Sequence, residues 1–389
     1  MTLDIIKDGI KKYGTPSYFF DLDSLKDRVM AISRKLFPKA GICYAMKANP
    51  FIIRPMDSYI DKYEVCSPGE YEICNRHGIA PEKIVVSGVN KNDASMERIL
   101  ELSGGKGTFT IESMSHYLIL SRLCHEKKLK INVLIRLSSG NQFGVDKAEF
   151  ERIALLIKDD EFLNLAGIHY YSGTQKKMKK IAKEIEMLKE FKDEIFNKHG
   201  IVISELEYGP GLIYNYFENE AECGFDEQLD ELRSLLDEFA DFEGITLEMG
   251  RFIASECGYY ATEVIDVKCN DEHNYCIVDG GIHQLNYYGQ TMGMKKPYME
   301  VISDSEEMTK WNVCGSLCTV NDVILRDVEL PVLSPSDVLV FKRCGAYSVT
   351  EGMALFLSRE LPAVIFYDSR KGCMVARNRM GTDTINEEN

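Results

Sequence analysis

A chain of 389 residues is long enough to form two domains, and its formal net charge of −15 argues against nucleic acid or an anionic membrane as a partner. Its twelve cysteines are scattered without a CxxC pair, and its seven histidines show no metal-ligand spacing. No apolar run has the length of a membrane-spanning helix, and the N-terminus lacks the layout of a signal peptide. We therefore expect a cytoplasmic protein with reduced thiols and no metal site.

The first two-thirds of the chain alternate between strand-like and helix-like periods. Strands are predicted at 41–47, 63–66, 83–87, 107–111, 130–137, 163–171, 203–208 and 245–248. Helices are predicted at 22–36, 52–60, 68–77, 92–102, 113–127, 147–158, 175–198 and 224–240. Eight strand-helix units over roughly 230 residues favour a (β/α)8 TIM barrel over an open doubly wound sheet.

After residue 250 the pattern is β-rich with little helical period, which predicts a second, all-β domain. Its strands are predicted at 258–268, 274–279, 310–314, 321–326, 337–342, 362–367 and 372–378. The N-terminal arm, with the apolar run Tyr18-Phe19-Phe20, is expected to add a strand to this domain. The predicted domains are thus a barrel over 22–250 and a β domain built from 1–21 together with 251–389.

Lys47 lies at the carboxyl end of the first predicted barrel strand, and Asn49-Pro50 ends that strand directly afterwards. A lysine in an apolar enclosure has a lowered pKa, and its neutral amine can bind a carbonyl carbon as a Schiff base. The alternative is a strand-end lysine that reaches solvent.

In a TIM barrel the reactive groups lie at the carboxyl ends of the strands. The other residues at these ends are Ser67, Ser87, Glu112, Arg136, His169, Tyr170, Tyr171, Gly209 and Glu248. The turns 172–174 and 209–211 offer backbone N–H donors to an anion, and Glu248 can hold a protonated heterocyclic nitrogen, although a salt bridge is the simpler role for it. A lysine, a phosphate site and such a carboxylate together describe a pyridoxal phosphate site. The lysine-rich stretch 176–180 predicts the solvated face of a helix.

On these residues the sequence resembles the fold-type III pyridoxal-phosphate decarboxylases, the group of diaminopimelate and ornithine decarboxylases, over nearly its whole length. The stretches that carry the resemblance are Tyr44–Pro50, Cys66–Glu70, Gly167–Gln175, Gly209–Gly211, Glu248–Arg251, Val278–Gly281, Gly315–Asp322 and Gly345–Tyr347.

The resemblance implies that Lys47 binds pyridoxal 5'-phosphate as a Schiff base and that Glu248 holds the pyridine nitrogen protonated. It also implies that Tyr171 stacks on the ring in place of the family's histidine. The residues it assigns to the phosphate are Thr174, Gly209, Gly211, Arg251 and Tyr347, and those it assigns to the substrate are Arg251, Thr319 and Tyr347. Cys318 matches the cysteine that enters the partner subunit's barrel and reprotonates the substrate carbon, so the resemblance implies a homodimer with shared active sites.

Two departures from the family bear on the substrate. Diamino-acid enzymes have an acidic residue directly after the cysteine, where this chain has Thr319, and the segment 282–289 lacks the arginine that grips a distal carboxylate. The sequence in these places resembles a subgroup that acts on conjugated amino acids in antibiotic and siderophore pathways, including glutamate on a carrier protein. A substrate with a conjugated or uncharged distal end is therefore expected. The alternative is a diaminopimelate or other diamino-acid decarboxylase whose distal clamp is Arg136 or Glu351.

Two further possibilities stay open at this point. An amino-acid racemase of the same family would have an arginine at the ring nitrogen, whereas Glu248 favours loss of carbon dioxide. A non-catalytic homologue would need neither Lys47 nor Cys318, and this chain has both.

Overall fold

The structure, a computed structural model, describes residues 1–221, 223–239 and 241–388. The chain forms two compact units. The barrel unit comprises Val29–Ile213 and Cys223–Phe252, and the β unit comprises Met1–Arg28, Tyr214–Glu222 and Ile253–Asn389.

Helices and strands are numbered in chain order. The helices are α1 (Leu3–Tyr13), α2 (Leu22–Leu36), α3 (Ile53–Met56), α4 (Pro68–Arg76), α5 (Asp93–Ser103), α6 (Met114–Lys127), α7 (Lys147–Lys158), α8 (Met178–His199), α9 (Phe225–Phe239) and α10 (Arg251–Ala254). The strands are β1 (Ser17–Asp21), β2 (Gly41–Ala45), β3 (Lys62–Val65), β4 (Ile84–Val86), β5 (Thr108–Ile111), β6 (Ile131–Arg136), β7 (Leu163–Tyr171), β8 (Glu205–Gly209), β9 (Gly244–Met249), β10 (Gly258–Asn270), β11 (His273–Val278), β12 (Met299–Ile302), β13 (Met308–Cys314), β14 (Val323–Pro331), β15 (Val338–Lys342), β16 (Ala363–Asp368) and β17 (Gly372–Arg377).

The barrel unit contains a closed sheet of parallel strands, β2 to β9 in order, with β9 paired back to β2. The predicted (β/α)8 barrel is confirmed. Several helices begin where a polar side chain caps the first turn: Ser67, Ser113 and Asp146 each accept a hydrogen bond from the backbone N–H three residues later. The predicted helix at 52–60 is shortened to α3, because a 3-10 turn at Pro50–Ile52 precedes it and the chain turns after Met56.

The β unit contains a nine-stranded sheet in which β1 lies between β10, to which it is antiparallel, and β16, to which it is parallel. The predicted N-terminal strand is therefore confirmed. Its Phe19 packs in a core with Ile6, Ala261, Val340 and Ile365. Ile6 belongs to α1, a helix that the sequence reading did not predict.

No helix formed by the described residues combines the length and the apolar character that crossing a bilayer requires. The cysteines of the described chain form no disulfide, as expected from their scattered spacing.

Candidate functional site

Lys47 lies in a 3-10 turn, Met46–Ala48, directly after β2. The side chain of Asn49 accepts a hydrogen bond from the backbone N–H of Phe51 at 3.0 Å, which fixes the next turn and ends the strand. The Nζ atom of Lys47 lies 2.6 Å from Oε2 of Glu64 on the neighbouring strand β3, and 40% of the lysine side chain is exposed. Of the two alternatives, the structure does not show the apolar enclosure: the ammonium group is paired with a carboxylate, and part of the side chain reaches solvent.

Glu64 is the centre of a small hydrogen-bond network beside Lys47. It is buried, and its Oε1 accepts from the hydroxyl of Ser87 at 2.7 Å and from the thiol of Cys66 at 3.2 Å. The Cys66 sulfur also lies 3.5 Å from the Lys47 nitrogen. Burial, and then the charge of Glu64, raise the pKa of the Cys66 thiol, so the thiol stays protonated at neutral pH. Three donors thus hold the Glu64 carboxylate in place.

Glu248, on β9, lies beside His169 on β7 and Glu207 on β8 inside the barrel. Nε2 of His169 is 3.1 Å from Oε1 of Glu248, but neither atom makes an aligned hydrogen bond within the described chain. Burial alone would raise the pKa of Glu248, but the charges of His169 and Lys47 outweigh it and lower the pKa to about 2. Glu248 is therefore an ionised, buried carboxylate, and its Oε1 is left without an aligned hydrogen bond in the described chain.

Glu207 lies on the strand next to that of Glu248, and its pKa is shifted in the opposite direction. It is fully buried, and neither of its carboxyl oxygens has a hydrogen-bond partner in the described chain. Burial, and then the charge of Glu248, raise its pKa well above the ordinary value. Two neighbouring glutamates thus divide the charge, since Glu207 keeps its proton and Glu248 does not.

Tyr171 ends β7 at the same place in the barrel. Burial raises the pKa of its hydroxyl, and the charges of Lys47 and Arg251 oppose that shift while those of Glu248 and Glu64 add to it. All four charged groups thus act on the pKa of this hydroxyl. A side chain at Gly209, at the end of β8, would overlap the Tyr171 ring, so the glycine is required for the tyrosine to lie there.

The turns 172–174 and 209–211, which the sequence predicts to bind an anion, pack against each other. Gly211 has φ +57°, and a Cβ atom there would overlap the carbonyl oxygen of Gly173 and approach Cα of Thr174 at 3.0 Å. Only glycine fits both the left-handed backbone and this contact. The structure therefore brings the turns 172–174 and 209–211 together, as the strand order predicted.

Other strand-end residues have structural partners. Arg136 and Glu112 form a buried ion pair with 2.9 Å between Nη1 and Oε2, and the Arg136 guanidinium lies 4.9 Å from the centre of the Phe143 ring. Ser67 caps α4, where its hydroxyl accepts from the N–H of Glu70 at 3.2 Å. Nη1 of Arg136 is therefore already engaged, and Ser67 has a structural role as a helix cap.

The remaining predicted residues belong to the β unit. Cys318 and Thr319 lie in an exposed loop between β13 and β14. The nearby carboxylate of Asp322 accepts from the N–H groups of Ile282 and Leu317 at 2.8 Å each, so it fixes the loop. Tyr347 is half-buried with φ +68°.

Three residues of the barrel interior escaped the sequence reading: Glu64, Glu207 and Lys176. Glu64 and Glu207 lie within strands rather than at the ends, so a search of strand ends passes over them. A charged residue flanked by apolar neighbours in a buried strand was the available signal. Lys176 was assigned to solvent but is buried.

This arrangement fits pyridoxal phosphate. Glu248 offers a buried oxygen without an aligned hydrogen bond that suits a ring N–H, Lys47 offers a primary amine for an aldehyde, and the paired turns suit a phosphate. Atoms of Glu64, His169 and Glu248 also lie within 4.8 Å of one another, a grouping that a metal ion could use. The lysine next to that group supplies a cation of its own, which favours the organic cofactor.

Comparisons with known proteins agree with this chemistry. Residues 22–255 match the family model described as the pyridoxal-binding domain of pyridoxal-dependent decarboxylases. The L-glutamyl-[BtrI acyl-carrier protein] decarboxylase of Niallia circulans is 26% identical over 400 residues, spanning 96% of this chain and 92% of the relative.

The 2-[(L-alanin-3-ylcarbamoyl)methyl]-2-hydroxybutanedioate decarboxylase of Staphylococcus aureus is 27% identical over 384 residues, 91% of this chain and 94% of the relative. Among solved structures, diaminopimelate decarboxylase from M. jannaschii in complex with L-lysine shares the fold with a TM-score of 0.85. It is 21% identical, and the match covers 96% of this chain and 91% of that one.

Proposed function

Since the chain belongs to the pyridoxal-dependent decarboxylases, we propose that it decarboxylates an amino acid whose distal end is conjugated or uncharged. The chain is a pyridoxal-phosphate-dependent carboxy-lyase of amino acids. The observation that carries the reaction type is Glu248, a buried and ionised carboxylate inside the barrel whose Oε1 lies beside His169 but makes no aligned hydrogen bond in the described chain.

The proposed roles in the barrel follow from the geometry. Lys47 would hold the cofactor aldehyde through Nζ once its ammonium group has given up a proton, and Glu64, whose Oε2 lies 2.6 Å from that nitrogen, can accept the proton. Glu248 holds a proton at the ring nitrogen, because a carboxylate with a lowered pKa accepts a hydrogen bond without taking the proton. Bound pyridoxal phosphate, protonated there, supplies the sink for the electron pair that carbon dioxide leaves on the α-carbon.

Tyr171 would lie against the ring through its π face. The phosphate would be held by Thr174, Gly209, Gly211 and Arg251 of the barrel unit. Pro210 has no N–H, so the turn between the two glycines offers one donor fewer than a triplet of glycines would.

Cys318 is the proposed acid that returns a proton to the substrate carbon, acting in the barrel of a second subunit. Its loop supports this, because Cys318 is exposed, Thr319 is half-buried, and the next residue, Val320, has 89% of its surface exposed. An exposed valine next to an exposed thiol suits a surface that a partner covers. A homodimer with Thr319 facing the substrate is therefore part of the proposal.

The side chains that would meet a charged distal group of the substrate are either neutral or already paired. A distal ammonium group would meet the neutral Thr319, while the nearest acid of that loop, Asp322, is already bonded to two backbone N–H groups. A distal carboxylate would need a cation such as Arg136, but Arg136 is buried and paired with Glu112. The names of the Niallia and Staphylococcus relatives, one a carrier-bound glutamyl group and the other a carbamoyl conjugate, are in keeping with such a substrate.

Diaminopimelate or another diamino acid is the second candidate. It is favoured by Glu351, an exposed carboxylate that lines a cavity of about 430 Å³ in the β unit and accepts one hydrogen bond, from the amide of Asn286 at 3.3 Å. Glu351 is thus the more available of the two relocated clamps that the sequence suggested.

The test is carbon dioxide release by the cofactor-loaded protein, with meso-diaminopimelate, lysine, ornithine, arginine and a glutamyl-carrier conjugate assayed side by side. Release from the conjugate with none from the free diamino acids is expected. Lys47→Ala should abolish the visible absorbance band of the cofactor, whereas Cys318→Ala should keep the band and lose turnover. Efficient release from diaminopimelate would refute the substrate assignment, and deuterium exchange at the α-carbon without carbon dioxide release would refute the decarboxylase.

A further inference from the structure

Lys176 is a buried lysine that the roles proposed above do not use. Its side chain is 2% exposed, although the sequence reading assigned the stretch 176–180 to a solvated helix face. That prediction is wrong for Lys176, because α8 begins only at Met178 and the preceding residues turn back into the barrel. Lys180, one helical turn further along, is 54% exposed and fits the prediction.

Lys176 joins the two turns that are proposed to bind phosphate. Its Nζ donates to the carbonyl oxygen of Gly209 at 2.8 Å and to the hydroxyl of Ser172 at 3.3 Å. Its backbone N–H donates to the carbonyl oxygen of Gly211 at 2.8 Å. One residue therefore contacts the first residue of each turn and the last residue of the second. Its ammonium group also lies 6.0 Å from the centre of the Tyr171 ring.

A buried carboxylate balances the charge of this lysine. Oε2 of Glu184, on α8, lies 2.7 Å from Nζ of Lys176 and accepts from the hydroxyl of Tyr208 at 2.7 Å, while Oε1 accepts from Ser172. Burial lowers the pKa of Lys176, and the hydrogen bond and charge of Glu184 oppose that shift. The pair is thus close to neutral overall, so its contribution to an anion site is geometric rather than an added positive charge.

The geometric contribution follows from the planarity of the peptide bond. In a trans peptide the N–H and C=O groups point in opposite directions. When Lys176 holds the carbonyl oxygen of Gly211, the N–H of Leu212 is directed away from Lys176. Carbonyl oxygens would repel a phosphate, and Lys176 holds two of them, those of Gly209 and Gly211, on its own side.

We propose that Lys176 is a positioning residue for the cofactor phosphate: it holds the turns 172–174 and 209–211 together and keeps the carbonyl oxygens of Gly209 and Gly211 directed toward itself, so that they do not face the anion. This inference rests on the phosphate site of the proposed function. Holding the turns in place matters in this chain because Pro210 has no N–H to donate to the phosphate. The remaining donors must therefore be positioned more accurately.

The experiment compares two ligands and two lysines. Apo-protein is titrated with pyridoxal phosphate and with pyridoxal, which has the same ring and aldehyde but no phosphate, and binding is followed by absorbance. In Lys176→Met, affinity for pyridoxal phosphate should fall by about tenfold or more, while affinity for pyridoxal should change by less than about twofold. Lys180→Met is the matched control, because Lys180 is exposed and its Nζ lies 3.8 Å from Oε1 of the same Glu184. Both affinities of this variant should stay as in the wild type.

Equal losses for the two ligands would overturn the proposal, because they would mean that Lys176 only supports the fold. If Lys176→Met does not fold, Tyr208→Phe removes one hydroxyl from the same network at constant shape. It should then lower affinity for pyridoxal phosphate and not for pyridoxal, and unchanged affinities would overturn the proposal as well. A wild-type protein that binds the cofactor but decarboxylates no conjugate would refute the substrate assignment and leave this test standing.

Discussion

Replacement of Glu248 by glutamine tests whether a charged carboxylate at the barrel centre drives the reaction. Glutamine keeps the size of the side chain and removes the negative charge that a lowered pKa maintains at neutral pH. A hydrogen bond to a charged group contributes about 1.5–3 kcal/mol. If that interaction strengthens as electrons move into the protonated ring, its loss lowers the rate of decarboxylation by about 10- to 150-fold.

The neighbouring Glu207 is the matched control. It lies on the adjacent strand and is equally buried, but its raised pKa means that it carries a proton already. A neutral carboxyl group and a neutral amide are similar in size, so Glu207→Gln should change the rate by less than about threefold.

The assay is single-turnover carbon dioxide release from a saturating substrate, with the absorbance spectrum recorded to show that each variant retains cofactor. The expected order of rates is wild type and Glu207→Gln together, then Glu248→Gln well below them. Equal losses in both variants would refute the division of charge between the two glutamates. A Glu248→Gln variant as fast as wild type would refute the role of the carboxylate at the ring nitrogen.

Three further outcomes are expected. Burial raises the pKa of Glu207 in the folded protein, so above the ordinary pKa the folded state binds more protons than the unfolded chain, and Glu207 weakens stability as pH rises. Glu207→Gln should therefore gain in unfolding temperature relative to wild type as pH rises above about 5. A difference that does not vary with pH would contradict the raised pKa. Arg136→Met should lower the free energy of unfolding by about 3–5 kcal/mol, measured as a lower urea midpoint, because it leaves Glu112 buried without its partner. A second change, Glu112→Met, should restore most of that loss. An unchanged midpoint with a raised KM for diaminopimelate would instead make Arg136 the distal clamp. Gly211→Ala should lose bound cofactor on gel filtration, whereas the control Gly200→Ala should keep it. Both glycines have a positive φ, but only a side chain at Gly211 would overlap a neighbouring turn. Equal retention of cofactor would count against the phosphate site.

The sequence predicted the architecture well because the barrel strands are short apolar runs between amphipathic helices. Every barrel strand lies within a few residues of its predicted place, since a buried parallel strand has few polar residues to obscure it. The N-terminal helix α1 was missed because it precedes the first strand and has no cap hydrogen bond at Thr2 to mark its start. It is held by contacts with the β unit, such as that of Gly9 with the ring of Phe19, which local propensity does not report.

The candidate site was predicted in outline and missed in its charge balance. Strand ends located Lys47, Tyr171 and Glu248, because alternation of strands and helices directs those ends to one face of a barrel. The same rule passes over Glu64 and Glu207, which lie within strands and reach the interior only because side chains alternate between the two faces of the sheet.

The pairing of buried cations with carboxylates is the feature of the site that the sequence did not predict. Lys47 is paired with Glu64, Arg136 with Glu112 and Lys176 with Glu184, at separations of 17, 24 and 8 residues in the chain. Each partner comes from a neighbouring strand, loop or helix, so the pair exists only after those elements have packed together. Burying a cation without such a partner is costly, so a buried lysine or arginine must be assigned its carboxylate before it is offered to a substrate. By that criterion Arg136 is already engaged, and the search for a distal clamp moves to exposed groups such as Glu351.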